Sequence, residues 1–192
     1  TLANQKKINY ALNGSFSKVA FIKELTENLP EPPTYFPLNV KLNQEGYVDF
    51  ETILEKNLVP LEVNDFELLS ENNDTIILDV RNQKDFIDGH IPNSLFIGLN
   101  GTFAPWVGTL IKDINQKILL ITPLGKETEA ITRLSRVGYD NCIGYLKGGF
   151  KTWKKNKNKI STLKSISATS FVDTLKVNKI NILDVRKVSE YN

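Results

Sequence analysis

The sequence predicts an α/β fold, with a central parallel sheet of about five strands that carries helices on both faces. Three short apolar runs, at 75–80, 117–122 and 142–146, have the length and continuous hydrophobicity of strands that are buried on both faces. The stretches between these runs space their apolar residues as amphipathic helices do. Strands that alternate with helices are typical of a parallel sheet with helices on its two sides.

A five-residue sequence that occurs twice divides the chain. I-L-D-V-R stands at 77–81 and again at 182–186, and at the same separation Phe66 corresponds to Phe171. A repeat of this length indicates one duplicated domain rather than a solenoid of short units. The second copy reaches Asn192 soon after its motif, and the chain contains no Met. We therefore expect one complete domain and the opening of a second, within a longer protein.

The first 60 residues predict helices and connecting segments. Residues 17–29 place Val19, Ile22, Leu25 and Leu29 on one helical face. Ser17 is a suitable N-cap for this helix, and the prolines that follow would end it. We expect a linker over 34–60, with one short helix near 49–56.

The main domain follows from residue 61 onward. The predicted elements are a helix at 64–71, a strand at 75–80, a helical turn at 82–88, a loop at 89–92, a short strand at 94–97, a helix at 106–114, a strand at 117–122, a helix at 127–137, a strand at 142–146 and a helix at 150–156. The basic stretch 154–160 predicts a solvated linker. Residues 166–177 and 180–185 repeat the opening of the domain, a helix and then a strand.

Composition excludes several classes of protein. The net charge of +2 implies no polyanionic partner, and the single cysteine excludes an internal disulfide framework. No apolar run approaches the ~20 residues that span a bilayer, and no signal peptide is evident. We therefore expect a cytoplasmic protein that binds neither membrane nor nucleic acid. The lysines within 154–159 lack interleaved aromatic residues, which favours a linker over a nucleic-acid surface.

A few residues could carry chemistry, and each also has a structural interpretation. Cys142 lies inside a strand pattern, where a thiol behaves as a small buried hydrophobe. His90 has no cluster of metal ligands beside it in the sequence, so we expect a scaffold role and no metal site. Asp79 and Arg81 follow a buried strand, which predicts a scaffold ion pair. The apolar segment 101–109 could be a contact surface or simple packing over the sheet.

The order of several motifs resembles the rhodanese family of sulfurtransferases. These motifs are L-D-V-R, then D-F-I-D-G-H-I-P-N-S at 85–94, a buried strand with a six-residue loop, and L-K-G-G-F-K-T-W at 146–153. The resemblance covers about residues 61–156, and 161–192 resembles the start of another such domain. It implies a loop whose first residue is a cysteine that carries sulfane sulfur, in a pattern close to C-x-x-G-x-R.

The matching loop departs from that pattern at two positions. It reads Thr122-Pro123-Leu124-Gly125-Lys126-Glu127, so threonine stands at the nucleophile position and glutamate at the place of arginine. A threonine hydroxyl cannot form a stable persulfide, and no adjacent base is evident to activate it. A like charge within ~4 Å would cost an incoming anion roughly 1–4 kcal/mol. We therefore predict a silent domain with no catalytic residue.

Two alternatives remain open for this loop. Its N–H groups could hold a small anion such as thiosulfate or persulfide, with Thr122, Gly125, Lys126, Glu127 and Thr128 as the candidate residues. Thr122 could also be an unconventional nucleophile, in which case a change to alanine would abolish activity.

The flanks suggest a larger protein. Segments 1–12 and 30–36 resemble the C-terminal tail of persulfide dioxygenases of the metallo-β-lactamase fold, but their metal motif H-x-H-x-D-H is absent. The resemblance implies a bacterial fusion that detoxifies sulfide and persulfide. Residues 1–60 would then be tail and linker, 61–156 the silent domain, and 157–192 a linker and the start of a second rhodanese domain. No cofactor is expected in this chain, since iron would belong to the dioxygenase portion. The expected partners are neighbouring catalytic domains of the same polypeptide, together with a homo-oligomer.

Overall fold

A computed structural model describes residues 1–9, 12, 16–27, 29, 32, 35–177, 180–186 and 188–191. The helices are α1 Leu2–Ile8, α2 Lys18–Thr26, α3 Phe36–Glu45, α4 Phe50–Asn57, α5 Val63–Ser70, α6 Gln83–Asp88, α7 Phe103–Leu110, α8 Glu127–Ser135, α9 Gly149–Lys155, α10 Ala168–Val177 and α11 Val188–Tyr191. The strands are β1 Pro60–Leu61, β2 Thr75–Asp79, β3 Leu95–Phe96, β4 Lys117–Ile121 and β5 Cys142–Leu146.

The five strands form one parallel sheet in the order β1-β5-β4-β2-β3. β2 and β4 pair along their whole length, from Thr75 opposite Lys117 to Asp79 opposite Ile121. Helices connect the successive parallel strands, as parallel pairing requires. The predicted α/β fold with a parallel sheet of about five strands is confirmed.

Alternate side chains of the central strands point to opposite faces of the sheet. Leu78 and Leu120 belong to a core on one face, to which α4, α7 and α8 contribute. Ile77 and Ile121 belong to a second core on the other face, which α5 and α9 cover. Helices therefore lie on both faces, and burying each large aliphatic side chain stabilises the fold by about 1.5–3 kcal/mol.

One glycine permits a close approach at the edge of the sheet. Gly144 in β5 has a φ of 150°, and a Cβ added to it would lie 2.6 Å from Leu61 Cδ1. The pairing of β4 with β5 is irregular here, between Ile118 and Leu119. β1 can therefore pair with β5 only because position 144 has no side chain.

The segment ahead of the sheet differs from the expected linker over 34–60. It contains α3, which the sequence pattern did not predict, and α4, which corresponds to the short helix expected near 49–56. Asp49 caps α4 by accepting from the backbone N–H groups of Glu51 and Thr52. Tyr35 is buried in the main core, and Leu54 packs against it. This segment is therefore attached to the domain.

The helix predicted at 17–29 is observed as α2. Ser17 accepts from the backbone N–H of Ala20 at 3.2 Å, which makes it the predicted N-cap. The apolar face of α2 does not join a core, because Val19, Ile22 and Leu25 are all exposed. Leu29, the last predicted member of that face, is exposed too.

The segment 101–109 is mostly helical. The helix predicted at 106–114 begins earlier and ends earlier, as α7 at Phe103–Leu110. Its first residue, Phe103, is buried in the main core, whereas Trp106 is 53% exposed. Phe103 therefore packs in the core, whereas a contact between the exposed Trp106 and a neighbouring domain stays a prediction. Within the described parts of the chain, no helix has the length and hydrophobicity needed to cross a membrane.

The strand predicted at 180–185 is not observed. Residues 181–186 lie outside any strand or helix, and their apolar side chains are exposed. A strand of a parallel sheet requires neighbours to pair with. β2 pairs with β3 and β4, whereas residues 181–186 pair with no strand in the part of the chain that the structure describes. The prediction was wrong because the pattern alone supplies no partner strand.

The chain that leaves the domain is bound to its surface by hydrogen bonds. Residues 154–160 are largely exposed, as predicted, but the Lys159 carbonyl accepts from Trp153 Nε1 at 2.9 Å. Ser161 and His90 exchange both of their backbone hydrogen bonds at 2.9 Å as an antiparallel bridge. The N–H of Leu163 then donates to the carbonyl of Ile87. We call residues 159–163 the strap.

Candidate functional site

The loop after β4 begins in the core and ends at a helix. Thr122 directly follows β4 and is only 2% exposed. A turn follows, in which the N–H of Lys126 donates to the carbonyl of Pro123. Gly125 has a φ of 78°, a conformation that glycine adopts without strain. α8 then starts at Glu127, so the loop lies at the carboxyl edge of the sheet and opens the helix.

The carboxylate of Glu127 folds back into this loop. Its Oε1 atom accepts from Thr122 Oγ1 at 3.1 Å and from the backbone N–H of Gly125 at 3.2 Å. The N-cap residue of α8, Lys126, makes no side-chain capping bond. The amino end of a helix carries a partial positive charge and unsatisfied N–H groups. Glu127 therefore supplies an anion at the mouth of its own helix.

The other two candidate residues, Lys126 and Thr128, make their hydrogen bonds along α8. Lys126 Nζ pairs with Glu129 Oε2 at 2.8 Å, a contact that lowers the pKa of Glu129. The carbonyl of Thr128 accepts from Thr132 Oγ1 within α8. The structure thus brings Thr122, Gly125 and Glu127 together, and it turns Lys126 away from them.

The predicted pair of Asp79 and Arg81 is buried beside the loop. Arg81 donates from Nε and from Nη2 to the Asp79 carboxylate, the latter at 2.6 Å, and the side chains are 9% and 0% exposed. Arg81 Nη2 also donates to the carbonyl of Gly89 at 2.7 Å, and its guanidinium lies 4.2 Å from the centre of the Phe150 ring. All of these contacts are internal to the domain, which fits a scaffold role.

His90 is also held by internal contacts. Its ring stacks on Phe86 at 4.0 Å, and Nδ1 lies 2.8 Å from the Phe86 carbonyl oxygen. Its backbone pairs with Ser161 of the strap. Among the described residues there is no group of three or more histidine, cysteine, aspartate or glutamate side chains that could hold a metal ion. His90 thus joins α6 to the strap.

The only cysteine of the chain lies in an environment that keeps its thiol protonated. Cys142 is buried at the start of β5, and its Sγ lies 3.7 Å from the carbonyl oxygen of Gly144. Burial raises the pKa of this thiol to about 12, because the low-dielectric core disfavours the charged form. The nucleophile in sulfur transfer is the thiolate, so Cys142 is inert near neutral pH.

A cleft of about 450 Å³ opens beside the loop. Its lining includes Thr122, Arg81 and the glycine pair 148–149. A Cβ on Gly149 would lie 3.1 Å from the carbonyl oxygen of Thr122, so the glycine turn packs directly on the loop. Lys151 and Lys154 of α9 also line the cleft and were not predicted as site residues. The motif L-K-G-G-F-K-T-W at 146–153 already contained Lys151, whereas Lys154 follows its last residue.

The five-stranded parallel sheet, with a glycine-containing loop that opens a helix after its central strand, defines the class of the domain as α/β with a candidate site at the carboxyl edge of the sheet. A family model described as "Rhodanese-like domain" matches residues 62–156. The chain therefore contains a rhodanese-like domain. No curated protein matches the chain significantly.

Several solved structures are similar to the chain. A metallo-β-lactamase from Staphylococcus aureus is 25% identical with a TM-score of 0.61, and the match covers 77% of this chain and 40% of that one. The rhodanese-like domain of an Anabaena protein is 20% identical with a TM-score of 0.44, covering 49% and 98%. A polysulfide-sulfur transferase homodimer from Wolinella succinogenes is 18% identical with a TM-score of 0.46, covering 65% and 93%.

Proposed function

We propose that the rhodanese-like domain is catalytically silent and serves as a scaffold between neighbouring domains of a larger sulfur-handling protein. One observation carries the proposal: a buried threonine, Thr122, stands at the end of the central strand, and its hydroxyl donates to a carboxylate. The only thiol of the chain, Cys142, is buried in a different strand with a pKa of about 12.

The chemistry of sulfane transfer explains why a threonine at position 122 and a buried cysteine favour a domain without catalytic activity. The step requires a soft nucleophile that is ionised near neutral pH and forms a persulfide. A hydroxyl needs an adjacent base to become nucleophilic, and Glu127 is a weak base for a group of such high pKa. The charge of Glu127 also opposes an anionic donor at this position. Thr122 is therefore a poor candidate for an unconventional nucleophile.

The attachments of the domain favour a scaffold role. The segment that precedes the sheet packs on the main core through Tyr35 and Leu54. The chain that follows is bound through the strap to His90. Both flanking segments are thus fixed to one rigid sheet, which would set the orientation of whatever they connect.

The likeness to the metallo-β-lactamase supports a larger parent protein. It covers 77% of the chain, more than the part that the family model matches. This chain spans 40% of the length of that relative. We extend the proposal to a cytoplasmic bacterial fusion of a persulfide dioxygenase with rhodanese domains, which detoxifies sulfide and persulfide. Its iron and its transferable sulfur would belong to the other domains, which would be the partners of this one within a homo-oligomer.

A thiocyanate-forming assay with thiosulfate and cyanide tests the silent role. We expect the 192-residue chain to give no turnover above that of the Thr122→Val variant, because neither hydroxyl nor methyl carries sulfur. A Cys142→Ser variant serves as the control for stray thiol chemistry. Turnover that survives Cys142→Ser and disappears in Thr122→Val would contradict the proposal and favour the unconventional nucleophile.

The strap offers a test of the scaffold role. Ser161→Pro removes the N–H that donates to the His90 carbonyl. Thr162→Pro is a neighbouring control, because the N–H of Thr162 makes none of the strap hydrogen bonds described above. We expect faster proteolytic cleavage after residue 156 in Ser161→Pro than in Thr162→Pro, with the core of the domain intact. Equal rates of cleavage in the two variants and the native chain would show that the strap hydrogen bonds do not hold the following segment on the domain.

Small-anion binding by loop 122–127 is a second candidate function. It is favoured by the hydroxyl of Thr122 and the N–H of Gly125, which both donate to Glu127 Oε1, and by the amino end of α8, which has no side-chain cap. Calorimetric titration of the native chain with thiosulfate would give saturable heat if this function operates. The position of Glu127 argues that the native loop gives none.

A further inference from the structure

The segment ahead of the sheet and the carboxyl end of α8 line a cavity of about 470 Å³, and none of its lining residues belongs to the loop after β4. This volume is within the range of small-molecule sites in proteins. Part of the lining comes from α3, α4 and their connection, and the rest comes from the end of α8 and from Asp140. We propose that this cavity binds a free α-amino acid with an apolar side chain.

Arg136 brings a cation to this cavity. It directly follows the last residue of α8, and within the part of the chain that the structure describes its guanidinium has no ion pair and no hydrogen bond. Arg133, earlier on α8, differs because its guanidinium donates to the carbonyl of Leu99 and pairs with Glu129 at 3.8 Å. A guanidinium presents N–H donors that match both oxygens of a carboxylate. Arg136 is therefore suited to hold the carboxylate of the ligand.

Asp140 brings the opposite charge to the same cavity. Its Oδ1 atom accepts from Ser135 Oγ at 2.6 Å, and its backbone carbonyl accepts from Asn57 Nδ2 at 2.9 Å. These two contacts hold the aspartate between α8 and α4. Its Oδ2 atom has no hydrogen bond among the described residues, and Asp140 forms no ion pair there with Arg136. Asp140 is therefore suited to accept hydrogen bonds from the ammonium group of the ligand.

The part of the lining that comes from α3, α4 and their connection is largely apolar. Ile53 is buried and Leu42 is half-buried, whereas Phe50, Tyr47 and Val48 are exposed. An apolar side chain of a ligand would be removed from water against these residues, which favours binding. The cavity thus combines a cation, an anion and an apolar surface. An α-amino acid has the complementary groups, because its carboxylate, its ammonium group and its side chain are all attached to one carbon atom.

Calorimetric titration of the full 192-residue chain with L-phenylalanine tests this inference. We expect saturable heat from a single class of site. N-acetyl-L-phenylalanine lacks the ammonium group, L-phenylalaninol lacks the carboxylate, and glycine lacks the apolar side chain. Each of these three compounds should therefore bind more weakly by a factor of about ten or more. The inference is overturned if L-phenylalanine gives no saturable heat, or if any of the three compounds binds as tightly as L-phenylalanine.

Variants of the two charged residues assign the binding to this cavity. Arg136→Gln and Asp140→Asn each remove one charge, and the amide oxygen of the new asparagine still offers Ser135 an acceptor. Each variant should bind L-phenylalanine more weakly by a factor of about ten or more. Arg186→Gln changes an exposed arginine outside the cavity and should bind as the native chain does.

Two results with the variants would contradict the assignment. These are unchanged binding in Arg136→Gln, and a loss of binding in Arg186→Gln that equals the loss in Arg136→Gln. Circular dichroism checks that each variant is folded. Should Asp140→Asn fail to fold, the comparison of N-acetyl-L-phenylalanine with L-phenylalanine on the native chain still decides whether an ammonium group is recognised.

Discussion

The two copies of I-L-D-V-R share one local structure in two different surroundings. In the first copy, Arg81 donates from its backbone N–H and from its guanidinium to Asp79, with the closest contact at 2.6 Å. In the second copy, Arg186 makes the same set of bonds to Asp184, and the closest contact is again 2.6 Å. The first pair is 9% and 0% exposed, however, whereas the second is 54% and 34% exposed.

The comparison separates the hydrogen bonds that the five-residue motif forms by itself from the burial that the surrounding domain adds. An aspartate two positions before an arginine forms the bidentate pair and its backbone bond without any sheet around it. Burial requires the neighbouring strands and α9, because Arg81 also contacts Gly89 and the Phe150 ring. The Arg186 guanidinium instead lies 5.6 Å from the centre of the Tyr191 ring, in the following helix α11. The local geometry of this motif is therefore the same whether or not a sheet surrounds it.

Removal of one partner of each pair should give the largest difference between the copies. Asp79→Asn leaves the Arg81 guanidinium buried without its counter-charge, and such a loss costs about 3–5 kcal/mol in the free energy of unfolding. Asp184→Asn leaves Arg186 in contact with water, so we expect no measurable change. Urea unfolding followed by circular dichroism compares the two variants. If both variants lowered the free energy of unfolding by a similar, small amount, burial would not strengthen the contribution of the Asp79–Arg81 pair to stability.

The apolar residue before each aspartate gives a second paired test. Leu78 is fully buried, and Leu78→Ala should lower the free energy of unfolding by about 2–5 kcal/mol through lost burial and the cavity left behind. Leu183 occupies the same place in the second copy but is 85% exposed. Leu183→Ala should leave the unfolding midpoint unchanged. A marked loss of stability in Leu183→Ala would reveal packing around the second copy.

Salt should affect the exposed pair in a small and measurable way. The Arg186 guanidinium and backbone N–H beside Asp184 hold the pKa of that carboxyl below its usual range. Because the pKa is lowered, the charged carboxylate stabilises this local structure at pH values above the usual titration range of an aspartate. That stabilisation is lost as the pH falls through the lowered pKa. Because the pair faces solvent, concentrated sodium chloride should move the pKa of Asp184 up toward its ordinary value. Carboxyl NMR titration at low and high salt measures this shift, and an unchanged pKa would mean that the hydrogen bonds alone cause it.

The sequence predicts the centre of the domain better than its edges. The strands β2 and β4 were predicted because continuous apolar runs of that length are typical of strands buried on both faces. β1 was missed because two residues at a sheet edge carry no periodic pattern, and its pairing depends on Gly144. The false strand at 180–185 has the opposite cause. Its pattern is strand-like, but the described residues provide no neighbour for it.

The site shows the same division. The family pattern C-x-x-G-x-R was sufficient to single out Thr122 and Glu127, because they stand at the cysteine and arginine positions of the loop. It could not predict that the Glu127 carboxylate accepts from the N–H of Gly125, because that contact depends on one side-chain rotamer among several. The strap was also beyond prediction, since Ser161 pairs with His90 through backbone groups that every residue has.

The most direct test of the silent role measures the mass of the intact native chain after exposure to thiosulfate and to polysulfide. Thr122 stands where a sulfur carrier would be needed, and Cys142 is buried with a pKa of about 12. We predict an unchanged mass. A covalent gain of one sulfur atom that persists in Cys142→Ser, and that peptide mapping locates in loop 122–127, would contradict the account.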